Sequence, residues 1–339
     1  MSNFQLPMEL PRTEIALKDI NSKNPMARYA AAVSLAVSDD NFSSQSIEAL
    51  FKASDDPFEE IRAQVVEGLA EWRLRNFELD SNKIAKLKSL LKDESPQVRS
   101  SVISNSALFF TDYHEFILNG VNDKEQGVRA CAADQLSGFS DEKSLDALKN
   151  LLTDSDKEVS LRAAIAMGKD ASADAIMILV NFISHPGSYY IYITDAVVTL
   201  ALAKNDIAKD ALYKKATGFF ASSDVRAICC AALLRFENPL QLDPALKLLK
   251  SYSRKTRTSI LQALFRLPHT SIGKNVAEII NNSNSDMEKS LGIEVLKAIK
   301  EIDCDKGMEL LQTVKDGLEG DILLEWEAVY NEGVNAVNE

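Results

Sequence analysis

One short pattern keeps returning along the chain: a few polar or acidic residues, an aliphatic residue followed by Arg, then a run of small and apolar residues. It is seen in DDPFEEIRAQVVEGLAEW (55–72), DESPQVRSSVISNSALF (93–109), DKEQGVRACAADQLSGF (123–139) and SSDVRAICCAALLRF (222–236). The Arg register falls at Arg28, Arg62, Arg99, Arg129, Ser160, Ile193, Arg226, Arg257 and Lys289, with successive gaps of 30 to 37 residues. A period of that size belongs to stacked supersecondary units rather than to a closed globule.

Each period reads as two helices. Before each Arg segment comes an apolar pattern spaced i, i+3, i+4: SIEALFKAS (46–54), KIAKLKSLLKD (83–93), SLDALKNLLTD (144–154), AIMILVNFIS (175–184) and PALKLLKSY (244–252). That spacing is the mark of an amphipathic helix. Asn24-Pro25, Asp56-Pro57 and Ser95-Pro96 set a capping side chain beside a proline at the first helical position, where the missing N–H costs nothing. With 13 Gly and 9 Pro in 339 residues and 46% hydrophobic side chains, the composition favours helices with a buried interior. A helix pair of about 30 residues cannot cover its own apolar faces and must stack on its neighbours. The expected fold is all-α, an α-solenoid of about nine to ten helix hairpins winding into a right-handed superhelix.

The pattern D-x-x-x-V-R-x-x-A-A-x-A-L-G, followed by a second helix ending in L-x-x-L-x-D, resembles HEAT repeats, especially the variety associated with phycobilin lyases. The likeness spans roughly residues 12 to 316 and is strongest in 55–168 and 222–267. It implies a single solenoid, with residues 1–22 as an N-terminal cap helix, 23–302 as repeats and 303–339 as an acidic C-terminal cap. It also implies that the Arg-bearing helix lines the concave side and that Asp and Arg form a ladder between adjacent units. Carried onto this chain, the ladder comprises Asp56, Asp93, Asp123 and Asp154 with Arg28, Arg62, Arg99, Arg129, Arg226 and Arg257, and it breaks at Ser160 and Ile193.

The same implied geometry nominates Lys169, Arg235 and Arg266 about two turns beyond the Arg register, with Arg162, Asp195 and Gln262 from other concave positions. Together they make a polar, mostly positive strip suited to an acidic or phosphorylated partner segment. The strip begins where SHPGSYYIYITDAVVTLAL (184–202) replaces charge with Tyr189, Tyr190 and Tyr192. Tyrosines combine flat apolar area with a hydroxyl and suit interfaces, so Tyr189 and Tyr190 join the candidate site, while Tyr192 supplies bulk where the ladder Arg is lost. The aromatic cluster Phe109, Phe110, Tyr113 and Phe116 is assigned to packing at a helix joint. The acidic side chains Glu319, Asp321, Glu325 and Glu327 around Trp326 suit a terminal cap, or a surface for a basic partner.

Formal charge is −12, unevenly spread: 20 basic against 30 acidic residues in 1–200, 16 against 9 in 201–300, and 2 against 11 in 301–339. Two acidic stretches argue against nucleic acid as the partner. No apolar run reaches the roughly 20 residues of a membrane span and the N-terminus lacks a secretory pattern, which places the protein in the cytoplasm. Cys131, Cys229, Cys230 and Cys304 show neither metal-site nor disulfide spacing and read as buried free thiols. His114, His185 and His269 are the only histidines, too few for the paired His-Glu motifs of HEAT-repeat hydroxylases, and phosphate-cradling or nucleophile-elbow motifs are absent. The expected function is a noncatalytic scaffold for a protein or peptide, without cofactor or metal. A bilin chaperone and a nucleic-acid reader resembling HEAT-like alkyl-base glycosylases are the alternatives.

Overall fold

The computed structural model describes residues 9–218, 221–236 and 242–337. Every regular element among them is helical. None of these helices is long and apolar enough to cross a membrane. The chain divides into two compact units, residues 1–166 and 167–339.

In the first unit five hairpins follow one another: α1 (Thr13–Asp19) with α2 (Pro25–Ala36), α3 (Ser43–Lys52) with α4 (Glu59–Leu74), α5 (Ser81–Leu90) with α6 (Pro96–Ser104), α8 (Tyr113–Gly120) with α9 (Gln126–Gln135), and α10 (Glu142–Leu151) with α11 (Lys157–Ala166). A single turn, α7 (Ser106–Phe109), continues α6. The Arg-register helices stack in order, α2 on α4, α4 on α6, α6 on α9 and α9 on α11, and each also packs on the first helix of its own hairpin.

The second unit repeats the scheme with α12 (Ala173–Ser184) and α13 (Ile193–Ala203), α14 (Asp206–Thr217) and α15 (Ser223–Leu233), α16 (Leu242–Leu249) and α17 (Arg254–Arg266), α18 (Gly273–Asn282) and α19 (Asp286–Ile302), and α20 (Cys304–Gln312) and α21 (Gly320–Val337). Its stacked layer runs α13, α15, α17, α19, α21.

Composition follows position in the stack. A helix with a stacked neighbour on each side and a hairpin partner behind it must be apolar round most of its girth. In α15, buried residues run from Val225 to Leu233 with only Arg226 interrupting them. Ala30, Ala31 and Ala32 in α2, Ala132 and Ala133 in α9, and Ala163 and Ala164 in α11 are buried, keeping these helices close. The first helices of the hairpins have one covered face: α5 buries Leu87 and Leu90 alone. At the α19–α20 crossing a Cβ on Gly307 would lie 2.3 Å from the Lys300 Cα, so only glycine fits there.

The helix starts depart from expectation in two places. Asn24 caps α2, accepting from the Met26 N–H at 3.0 Å beside Pro25 at the first helical position. Asp56-Pro57, however, stands outside α4, which begins at Glu59. The Asp56 carboxylate is taken by Arg28 and by the Phe58 N–H, so it cannot cap the helix. Pro96 opens α6, yet Ser95 makes no capping bond and its Oγ is buried without a partner.

The aromatic joint is packed: Phe109 and Phe110 are buried, and Phe110 meets Phe116 edge-on at 5.1 Å. His114 stacks on Phe139 at 4.2 Å while its Nε2 bonds Ser144. Three of the four thiols, Cys131, Cys229 and Cys230, are buried, but Cys304, the first residue of α20, is exposed. Burial raises the Cys131 and Cys229 thiols and pushes Cys230 up to about 12. A disulfide-exchange reagent at pH 8 is therefore expected to titrate one thiol rapidly in the native protein and all four after denaturation. Fast reaction of two or more in the native state would contradict the packing around α9 and α15.

Candidate interaction face

Two constructions share the stacked helices: a charged ladder at their N-terminal ends and an open face along their sides. In the first unit each Arg-register guanidinium forks onto the aspartate of the next hairpin through Nε and Nη2. Arg28 holds Asp56 at 2.6 and 3.0 Å, and Arg62 holds Asp93 at 2.9 and 2.8 Å. Arg99 holds Asp123 at 2.8 and 2.7 Å, and Arg129 holds Asp154 at 2.7 and 2.9 Å. Nη1 turns the other way, onto the main chain: Arg62 bonds the Asp56 carbonyl, Arg99 the Asp93 carbonyl and Arg129 the Asp123 carbonyl. One Oδ of each aspartate also accepts the backbone N–H two residues on, from Phe58, Ser95, Glu125 and Asp156. Each rung thus joins two hairpins and fixes the turn that starts the next Arg-register helix.

Burial and pairing pull these carboxyls in opposite directions. For Asp93 and Asp123 desolvation pushes the pKa up, but the hydrogen bonds and charge of Arg62 and Arg99, with a backbone N–H for each, hold it below the ordinary carboxylate range. Asp154 is held down mainly by its bond from Arg129. The guanidiniums of Arg28, Arg62, Arg99 and Arg129 are raised by the same bonds.

The series stops where Ser160 and Ile193 replace Arg. In the second unit Arg257 takes Glu288 at 3.0 and 3.2 Å. The aspartate position there is Ser283, which hands its role to Glu288 and bonds it at 2.5 Å. Arg226 occupies the register but meets no carboxylate among the described residues, the corresponding position in the next hairpin being Ser251.

The strip residues are dispersed. Arg162, in the first unit, is claimed by Asp134, with its Nε 2.9 Å from Oδ1, and by Glu158 at 3.3 Å. Its charge is thus already paired within the first unit. The other candidates lie in the second unit. Lys169 is exposed on a turn of 3-10 helix at 168–170, and Asp195 is exposed in the first turn of α13. Tyr189 is half-buried and Tyr190 exposed in the 3-10 segment Gly187–Tyr192, with the Tyr190 hydroxyl 3.0 Å from the Ser222 Oγ. Arg235 is half-buried on the turn after α15, its Nε closed off without a hydrogen-bond partner.

Gln262 and Arg266 do come together. They line a groove of about 380 Å3 along α17, whose walls include Thr194 of α13, Asp224 and Ile228 of α15, and Phe265. Phe265 is 47% exposed. Asp224 is held by the Ser259 hydroxyl at 2.6 Å. The sequence reading missed Phe265. An aromatic residue one place before Arg266, on a helix whose other apolar residues follow the buried register, was the signal available.

Residues 114–194 match the family model for HEAT repeats. That segment carries HEAT repeats. Among solved structures, YibA of Escherichia coli resembles it with 18% identity and a TM-score of 0.52, over 76% of this chain and 93% of that one. The karyopherin Kap121p bound to Ste12p resembles it with 13% identity and a TM-score of 0.49, over 96% of this chain and 43% of that one. The chain therefore spans less than half the length of the Kap121p chain. No curated protein matches its sequence. These likenesses concern the fold, and the groove on α17 is a feature of this chain's own residues.

Proposed function

We propose that the protein is a noncatalytic HEAT-repeat scaffold and that the groove beside α17 receives an extended segment of a partner protein. The observation that carries this reading is an exposed aromatic ring set beside unspent donors on a rigid helical layer. Phe265 offers apolar area, and neither Gln262 nor Arg266 spends its side chain on a hydrogen bond within the described residues. Buried aromatic anchors flanked by Arg are the usual energetic centre of a protein interface. Arg266 suits a carboxylate of the segment, while Ile228 and Phe265 suit an apolar side chain next to it.

The titratable groups support the noncatalytic part. Those moved from their ordinary values are ladder partners, local Lys–Asp, Lys–Glu and Asp–Ser contacts, and buried thiols. The charged groups among them have structural partners, the thiols are raised by burial, and none of these groups lines the groove, whereas a catalytic site concentrates such groups where substrate sits.

A photo-crosslinking amino acid at Phe265 should capture a discrete partner in cells, and the same probe at Tyr252, fully exposed on the joint before α17, should not. Arg266→Glu should remove the adduct. Capture of the same partner at both positions, or at neither, would sink this assignment.

A further inference from the structure

The ladder also identifies a second site, at the rung that has lost its acid. In five rungs the Nε–Nη2 edge of an arginine is filled by a carboxylate from the next hairpin. Arg226 differs. Its Nη2 makes two long contacts, 3.4 Å to the Gly218 carbonyl and 3.2 Å to the Ala221 carbonyl, and its Nε is buried with no partner.

The missing acid is accounted for atom by atom. Ser251 stands where the other rungs have Asp, six residues before the next Arg. Its carbonyl accepts from Arg257 Nη1 at 2.6 Å and its Oγ accepts from the Ser253 N–H at 3.2 Å. These are two of the three tasks the ladder aspartates perform. The third, a carboxylate for the preceding arginine, needs oxygens that serine lacks. The substitute used at Glu288, one place before the register, is also absent here, since the equivalent residue is Thr256.

What faces Arg226 instead is a cavity of about 400 Å3 between α14 and α16, lined also by Tyr213, Thr217, Asp243 and Lys247. Lys247 adds a second cation. Asp243 is the one acid in the wall, and it forms no ion pair with Arg226 or Lys247 among the described residues. A half-buried guanidinium that finds no counter-ion among the described residues is costly, and a carboxylate supplied from outside relieves that cost.

We propose that this cavity binds a small organic acid, with one carboxylate against the part of the Arg226 guanidinium that lines the cavity and a second polar end toward Lys247 and Tyr213. The planar carboxylate is favoured because all five filled rungs hold one in the same fork. Binding would exchange the two long carbonyl contacts of Nη2 for charge-assisted bonds. The site lies apart from the groove beside α17 and does not depend on it.

The test uses the full chain, with succinate, citrate and inorganic phosphate as probes against chloride at matched ionic strength and pH. Succinate or citrate should raise the thermal midpoint of the wild type by about 2–4 °C beyond chloride. Ser251→Asp, which restores the acid from within, should raise the midpoint without any probe and abolish the succinate and citrate increments. Arg226→Gln should lose the increment as well, and if that variant fails to fold, the Ser251→Asp result decides alone. An increment equal in wild type and Ser251→Asp, none in the wild type, or one given by phosphate alone would overturn the proposal.

Discussion

Asp93→Ala is expected to destabilise the protein by about 3–5 kcal/mol, the usual consequence of leaving one member of a buried ion pair without its partner. Arg62 and Asp93 each expose 9% of their side chains, so water can do little for the stranded guanidinium. Two further bonds go with the carboxylate, one to the Ser95 N–H and the second arm of the fork. Urea unfolding followed by circular dichroism measures the loss. Arg62→Met combined with Asp93→Leu should recover more than half of it, because removing both charges leaves none buried and unpaired. A single-variant loss below about 1 kcal/mol would put the rung in the class of solvated surface pairs. Acid dependence provides a second reading. Asp93, Asp123 and Asp154 are held below their unfolded-chain values, so the stability they contribute is complete above about pH 5 and is lost as the pH falls through the folded values. Asp93→Ala should lose less stability than wild type over that acid limb.

The repeat was legible because both of its marks are local. The Arg register and the small residues after it are dictated by crowding within one stacked helix, and the amphipathic spacing of α5 or α10 by its single covered face. Rungs of the Asp56 and Asp93 type were legible for the same reason: their partners sit at fixed offsets from the register. Arg257 shows where that logic ends. Its acid comes from Glu288 rather than from the aspartate position at Ser283, and no offset rule announces the exchange. The pairing of Arg162 with Asp134, on the preceding stacked helix α9, is likewise a contact that only coordinates show. The groove beside α17 was half legible. Gln262 and Arg266 follow from helix geometry, but a wall drawn from α13, α15 and α17 depends on how three helices sit together. Trp326 shows the same limit near the C-terminus: acidic residues surround it in sequence, yet its ring is buried and its Nε1 bonds the Leu311 carbonyl at 2.9 Å.

That indole bond has a counterpart in the first unit, and removing it should have an effect close to that of breaking the ladder. Trp72 is fully buried in α4 and donates from Nε1 to the Leu35 carbonyl at 3.0 Å. Leu35 lies in the last turn of α2, where carbonyls lack a helical partner and must find one elsewhere. The ring is also enclosed by Phe77, edge-on at 5.0 Å, and by the Arg75 guanidinium 3.9 Å above it. One side chain therefore fills the space between two successive Arg-register helices and, with the Ser38 hydroxyl, satisfies the end of the first. Trp72→Ala is expected to cost about 3–5 kcal/mol through the cavity it opens. Trp72→Phe separates the two roles: it keeps most of the packing but removes one of the two donors to the Leu35 carbonyl, the other being the Ser38 hydroxyl at 3.1 Å, for a loss of about 0.5–1.5 kcal/mol. Urea midpoints of the two variants test the order. Equal losses would assign the whole effect to the hydrogen bond, and a neutral Trp72→Phe would assign it to packing alone; the geometry calls for a loss well below that of Trp72→Ala, since the Ser38 hydroxyl, 3.1 Å from the Leu35 carbonyl, still donates to it when the indole is gone.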